Sequence, residues 1–397
     1  MRRRLLSLLI FGVTGMACGG PARGAMFGAA RYQAADTAGR PSPAARAQEA
    51  AWRHRHAWPP SDFERDAADS SLVWIAQHAD TTTAFRGLSA PSDTVVWTSG
   101  SGGVIARSVD GGLSWTTHRI PDADSLFLVD VSAFDARTAV VLGTRFSGGL
   151  ARIFRTDDGG STWRVLYTDD RAGAFYDGIA CWDVRHCVAF GDAVDGRLAI
   201  VRMTDGSHWQ RVAGDALPAA LPGEAGFAAS GTAITVAGAR HAWIGTGGGD
   251  HARVYRTENG GRTWQVADTP MPAGQSAGIF GIAFRDTLHG LAVGGDYAKP
   301  DATAPNVLRT KDGGRTWQLL GSTSPPGVKW GLVAVPVMKD TYVAVSPAGT
   351  GFTTDDGATW TAIAGSGYNT VVFATPAAGW VAGNGGRIAR ASNAPHP

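Results

Sequence analysis

The feature that most constrains this chain is a turn-sized pattern, Ser/Thr-x-Asp-x-Gly-x-x-Trp, that returns along nearly its whole length. Thr310-Lys311-Asp312-Gly313-Gly314-Arg315-Thr316-Trp317 matches it in full, as do 108–115 (Asp110, Trp115), 156–163 (Asp158, Trp163) and 353–360 (Asp355, Trp360). The copy at 257–264 differs only by Asn259 at the acidic position and ends on Trp264, and a worn copy ends on Trp209 with Arg202 and Thr204 where the hydroxyl and carboxylate belong. Successive tryptophans are 48, 46, 55, 53 and 43 residues apart, a period that fits one four-stranded propeller blade. The pattern has a physical role of its own. Its glycines permit a tight turn at positive φ, the carboxylate and hydroxyl can bond the turn's own amides, and the tryptophan can pack between neighbouring sheets.

Each period also reads alike outside the turn. An apolar run such as Ala139-Val140-Val141-Leu142-Gly143 leads to a glycine-rich loop, then to an alternating strand such as Ala151-Arg152-Ile153-Phe154-Arg155, then to the turn and a tryptophan-led strand. With 54 Gly and 14 Trp in 397 residues and 18% charged residues, the composition suits many short strands joined by tight turns, and one repeat array accounts for nearly all of the chain.

The pattern resembles the Asp box, or BNR repeat, of β-propellers. The preceding arginines, Arg107, Arg155, Arg256 and Arg309, and the phrase Arg-Thr-x-Asp-Gly-Gly-x-Thr-Trp make the chain most similar to propellers related to the photosystem II stability and assembly factor, and more distantly to sialidases. The resemblance implies a chaperone-like docking role; the box is a turn device and reports no chemistry. The expected fold is therefore all-β, a seven-bladed propeller over 67–392 with six or eight blades as the fallback, followed by a tail at 393–397. The seventh unit, Gly379-Trp380-Val381-Ala382-Gly383 then Gly386-Arg387-Ile388-Ala389-Arg390, lacks an outer strand. Val73-Trp74-Ile75-Ala76 imitates Thr359-Trp360-Thr361-Ala362 and can supply it, so that both termini close the ring.

Residues 1–18 read as an export signal: Arg2, Arg3 and Arg4, an apolar stretch over 5–13, then small residues before Cys18. Cys18 resembles a lipoprotein acceptor, which places the chain in the periplasm or outer envelope, or, without the lipid, among secreted proteins. Residues 19–66, rich in Ala, Pro and Arg, read as a tether. The first 56 residues carry a net +7 and the remainder −5, with no basic run in the repeats, which argues against nucleic acid as partner. Membrane contact is expected only through a lipid at Cys18, and the domain is expected to be a monomer. Cys181 and Cys187 are spaced to face one another across a hairpin as a disulfide, or else to stay as buried thiols.

Boxes link the third and fourth strands and define one face; the opposite face gathers the other loops, where binding sites usually lie. Residues leading into the inner strands there are Arg86, Asp130, Tyr176, Asp177, Lys329, Trp330, Tyr368 and Asn369, joined by Glu224 in the insertion at 217–231 and by Tyr297 and Lys299 in the long loop at 294–306. They form either a ligand floor or a channel plug. Glycoside hydrolysis needs a pair of carboxyl groups. With only four glutamates in the chain, that alternative falls to Glu224 with Asp177 or Asp192. No haem, dinucleotide or P-loop fingerprint is present, so no cofactor or metal is expected and redox work is the weakest reading. The leading expectation is an exported, non-catalytic scaffold that binds a protein or peptide, with a glycan ligand as the alternative.

Overall fold

A computed structural model describes residues 72–365, 367–393 and 395. The leader at 1–18, Cys18 and the tether at 19–66 lie outside the described residues. The chain forms seven four-stranded antiparallel sheets. Blades 1 to 6 run over 85–119, 127–169, 176–211, 234–268, 277–319 and 331–363, each laid down in chain order from its innermost strand outward. The first strand of every sheet touches the first strand of the next, around a closed ring.

Blade 7 is shared between the two ends of the chain. Thr370–Thr375, Ala378–Ala382 and Arg387–Ala391 provide three strands, and Trp74–His78 provides the outermost, paired Trp74↔Ala391 through His78↔Arg387. The Val73 amide donates to Ser392 Oγ at 3.2 Å, and the Ser392 amide to the Val73 carbonyl at 2.9 Å. The two ends of the chain are thus hydrogen-bonded to one another within a single sheet.

Burial explains why the strands differ along a blade. The second strand of blade 2, Ala139–Thr144, is buried throughout because sheets cover both of its faces, whereas its outermost strand, Arg164–Asp169, is mostly exposed or half-buried. The box tryptophans sit between blades. Trp163 packs with Trp97 and Ile105 of blade 1, Trp317 with Trp243 and Val254 of blade 4, and Trp360 with the blade 5 residues Leu291 and Val293. Trp115, Trp209 and Trp264 occupy the corresponding seams. Trp74 does the same in the seam of blades 6 and 7, against Val343, Phe352 and Val381. The similarity of 73–76 to 359–362 thus has a packing cause: every blade needs one indole there.

Each full turn closes through the same bonds. In 310–317 the Thr310 hydroxyl donates to Asp312 Oδ1 at 2.8 Å and accepts from the Gly314 amide at 2.9 Å, while the Thr316 amide and hydroxyl donate to the two Asp312 oxygens at 3.0 and 2.6 Å. Turns at 108–115, 156–163 and 353–360 repeat this pattern. Gly112 is required at φ +89°, where a Cβ would stand 2.1 Å from Gln77 Oε1. Asn259 preserves the turn with one bond reversed, since its Nδ2 donates to Thr263 Oγ1 at 2.8 Å. Asp312→Ala strands several of these donors at a partly exposed site and should cost about 1–2 kcal/mol, read as a lower urea midpoint; an unchanged midpoint would show that the carboxylate adds nothing to the turn.

Cys181 and Cys187 lie opposite one another in the first hairpin of blade 3 and are joined by a disulfide. Among the described residues no helix is long and apolar enough to cross a membrane.

Candidate functional site

One segment spans the centre of the ring and packs there against residues of the neighbouring blades. Residues 225–232 lead into the inner strand of blade 4 and reach across the ring. Ser230 Oγ donates to the Trp330 carbonyl of blade 6 at 2.7 Å, and the Ser230 carbonyl accepts from Thr370 Oγ1 of blade 7 at 2.8 Å. Thr232 accepts from the amides of Ile282 and Leu332, at 2.8 and 3.2 Å, in blades 5 and 6. Gly231, at φ +75°, lies against Asp130 of blade 2, whose oxygens accept from the Val131 and Ile179 amides at 2.8 Å each. Any side chain at Gly231 would strike that carboxyl group, since its Cβ would come within 2.3 Å of Asp130 Oδ1. Burial pushes the Asp130 pKa well above the usual carboxylate range. Phe227 and Phe280 stack 4.1 Å apart with Tyr297 edge-on to both, and Val328 and Trp330 complete this apolar plug.

Beside the plug, at the seam of blades 7, 1 and 2, the structure brings Arg86, Trp330 and Asn369 together. The Arg86 guanidinium lies 5.3 Å from the Trp330 ring and 5.5 Å from the Phe127 ring, and donates to the Phe85 carbonyl and to Asn384 Oδ1 at 3.1 and 3.0 Å. Asn369 Nδ2 donates to those same two acceptors, at 2.9 and 2.8 Å. Arg86 is 5% exposed and has no carboxylate within ion-pair distance among the described residues. Burial pulls its pKa down to about 10. From Phe127 an aromatic line continues to Phe146 at 5.0 Å and on to the buried Phe175 at 5.7 Å; Phe127 and Phe146 are half-buried. Phe127, Phe146 and Asn384 were not singled out from sequence. The last lies in the glycine-rich loop of the unit that lacks a box, where its own motif gave no reason to pick it.

The other candidates are placed elsewhere. Lys329 is fully buried, with Nζ 3.4 Å from the carbonyls of both Pro326 and Gly327, and burial pulls its pKa down to about 7. Tyr176 turns into the seam of blades 2 and 3, where its hydroxyl donates to Asp169 Oδ2 at 3.2 Å. Tyr368 lies between blades 6 and 7, under the Arg387 guanidinium at 5.2 Å. Lys299 is exposed on the loop at 294–306. That loop roofs a cleft of about 240 Å³ lined by Pro272, Ala277, Lys299, Pro305, Gly327 and Val328.

The carboxyl groups separate into two environments. Glu224 is locked: Arg253 grips both of its oxygens, with Nε 2.9 Å from Oε1, and Thr246 Oγ1, Tyr255 OH and the Leu221 amide add bonds of 2.7, 3.0 and 2.8 Å. No lone pair remains for a substrate proton. Asp177 and Asp192 instead converge on Gly226. Its amide donates to Asp192 Oδ1 at 3.0 Å, and its Cβ, if it had one, would meet Asp177 Oδ2 at 2.4 Å. Asp177 is 1% exposed, and neither oxygen reaches a donor in good geometry among the described residues. Burial, then the neighbouring Asp192, push its pKa well above the usual range against a weak pull from the Ala228 amide; burial pushes Asp192 up to about 7. Among the described residues no group of three or more His, Cys, Asp and Glu is placed to hold a metal.

Fold and site together define a class: a seven-bladed propeller with a plugged channel and a face carrying a buried cation beside half-buried aromatics. Among solved structures the chain is similar to YCF48 bound to a D1 peptide, with a TM-score of 0.58 at 17% identity over 80% of this chain and 94% of that one. It is likewise similar to YCF48 from Cyanidioschyzon merolae, with a TM-score of 0.57 at 14% identity over 80% and 98%. An ancestral GH74 enzyme matches with a TM-score of 0.50 at 14% identity, over 82% of this chain and 52% of that one. No family model matches the chain, and no curated protein does. At these identities the likeness is one of fold.

Proposed function

We propose that the chain is an exported, non-catalytic Asp-box propeller that docks a protein or peptide segment on its loop-rich face, tethered to the envelope through Cys18. One observation carries the reading: Arg86 is a buried guanidinium with neutral hydrogen-bond partners, set between the faces of Phe127 and Trp330 and next to the half-buried Phe146. Such a group holds uncompensated positive charge in a poorly solvated place and favours a carboxylate with an adjoining apolar side chain. The likeness to YCF48 bound to a D1 peptide supports a peptide as the kind of partner. The glycan-hydrolysing alternative has less to rest on, because Glu224 is consumed by Arg253 and Asp177 is shut away from solvent.

The test is fluorescence anisotropy with short peptides carrying an aromatic residue next to a glutamate, beside the same peptides carrying glutamine. Acidic peptides should bind at least about tenfold more tightly, and Arg86→Gln should erase the difference. Equal binding of both sets, or binding unchanged by Arg86→Gln in a folded variant, would refute the assignment.

A further inference from the structure

We propose that Asn384 is a site of spontaneous covalent modification: its amide is converted to a carboxylate, which then neutralises Arg86. This goes beyond the docking reading and does not depend on it. The chain contains two Asn-Gly pairs, at 259–260 and 384–385. Asparagine followed by glycine is open to attack of the next main-chain nitrogen on the side-chain carbonyl, because glycine puts no side chain in the way.

The surroundings of Asn384 favour that attack. Gly385 is exposed, at φ +71°, with no heavy atom within 4 Å of where a Cβ would stand. Its neighbours are tied down: the Gly383 amide donates to the Arg387 carbonyl at 2.9 Å and the Gly386 amide to the Thr83 carbonyl at 2.7 Å. The Gly385 amide makes no such turn bond among the described residues. Asn384 Oδ1 receives two donors, Arg86 Nη1 at 3.0 Å and Asn369 Nδ2 at 2.8 Å. Both draw electron density from Cγ, and both are already in place for the negative charge that develops on Oδ1 during attack, as in an oxyanion hole.

The reaction balances with water alone. The Gly385 nitrogen, its proton lost to solvent, bonds to Asn384 Cγ, and the displaced electron pair moves onto Oδ1. The tetrahedral centre collapses by breaking the Cγ–Nδ2 bond; Nδ2 takes a proton from solvent and leaves as ammonia, and a succinimide remains. Water then opens the ring, at Cγ to give aspartate or at the main-chain carbonyl to give the isoaspartyl linkage. Overall, amide plus water gives carboxylic acid plus ammonia, with no change of oxidation state. The aspartate product sets a carboxylate against the one buried guanidinium of the site, which otherwise has none, and a paired buried charge is far less costly than a lone one.

The second Asn-Gly pair is an internal control. The Gly260 amide is engaged, donating to the Arg240 carbonyl at 2.9 Å, and Asn259 Oδ1 accepts from the Arg262 and Thr263 amides and from the Thr257 hydroxyl, with no cation on it. The test is incubation of the purified full chain in mildly alkaline buffer, followed over time by peptide mapping with mass spectrometry. Residue 384 should convert at least about tenfold faster than residue 259, at a rate that climbs with pH, and Arg86→Gln should slow 384 without slowing 259. Comparable rates at the two positions, or conversion confined to 259, would overturn the proposal. Asn384→Asp reads the consequence without touching Arg86: it should melt at a higher temperature than the wild type at neutral pH, and a lower melting temperature would overturn the pairing with Arg86.

Discussion

Glu224→Gln should lower the stability of the propeller by about 3 kcal/mol, even though it is isosteric and removes no atom from the apolar core. The loss comes from Arg253, which is 6% exposed and is left with a neutral partner in place of the carboxylate that grips it. Thr246 and Tyr255 lose a charged acceptor in the same step. Replacing both members of the pair with apolar residues of similar size, as in Glu224→Leu with Arg253→Met, should recover much of the loss, because no buried charge is then left alone. Urea unfolding of the two variants measures both effects. A single variant as stable as the wild type would show that the pair only breaks even. The result also separates fold from chemistry: below its own unfolding transition Glu224→Gln should still capture acidic peptides, since its carboxylate serves the insertion at 217–231 and not Arg86.

Lys329→Met should act in the opposite direction. The buried ammonium meets two carbonyls at 3.4 Å, and burial holds its pKa near 7, against 10.5 for a free lysine. The unfolded chain therefore binds this proton more tightly than the folded one. Between pH 7 and 10.5 the unfolded state carries more protons, so this lysine makes stability rise with pH across that window. Methionine removes the titration. At pH 7 the variant should be more stable by on the order of 3 kcal/mol, and the gap should close as the pH approaches 10.5. Guanidinium unfolding of both proteins at several pH values measures this. A constant gap between them would mean that the ammonium finds compensation in the folded protein, and a less stable variant would mean that its two carbonyl contacts outweigh its burial.

What was legible in the sequence was what short-range geometry dictates. The turn around Asp312 is built from bonds spanning no more than four residues, so its pattern is contiguous and repeats visibly. Trp74 was legible for the same reason, because one seam requires the same local phrase as the others. Cys181 and Cys187 needed only a hairpin between them. The contents of the channel were not legible. The bonds of Ser230 run to residues 100 and 140 positions away, and no local pattern encodes a segment that crosses a ring. Glu224 stood out by scarcity; Arg253, which engages it, lies 29 residues on within an ordinary alternating strand. Tyr176 and Tyr368 were assigned to the loop face because of where their strands begin, yet a side chain one residue from a strand end can turn into an interblade seam as readily as into the channel. Arg86 and Trp330 stood out only as strand-leading residues, with nothing local to say that they adjoin, and Phe127, which completes their stack, belongs to the inner strand of a different blade.

The seam in blade 7 bears on how such a chain comes to be made. A chain emerges from its N-terminal end first, and the strand Trp74–His78 has no partner until Arg387–Ala391 has appeared, more than three hundred residues later. The six intervening sheets can form in order as they emerge, but the first of the described strands is among the last to be paired. Until then blade 7 lacks its outer edge, and the seam with blade 6 lacks the indole of Trp74. Joining ends so far apart in sequence adds a slow, late step whose entropy cost the earlier blades reduce by holding the two ends of the arc near each other. A truncation that removes only 387–391 should therefore deprive the first strand of its partner as surely as deleting that strand itself.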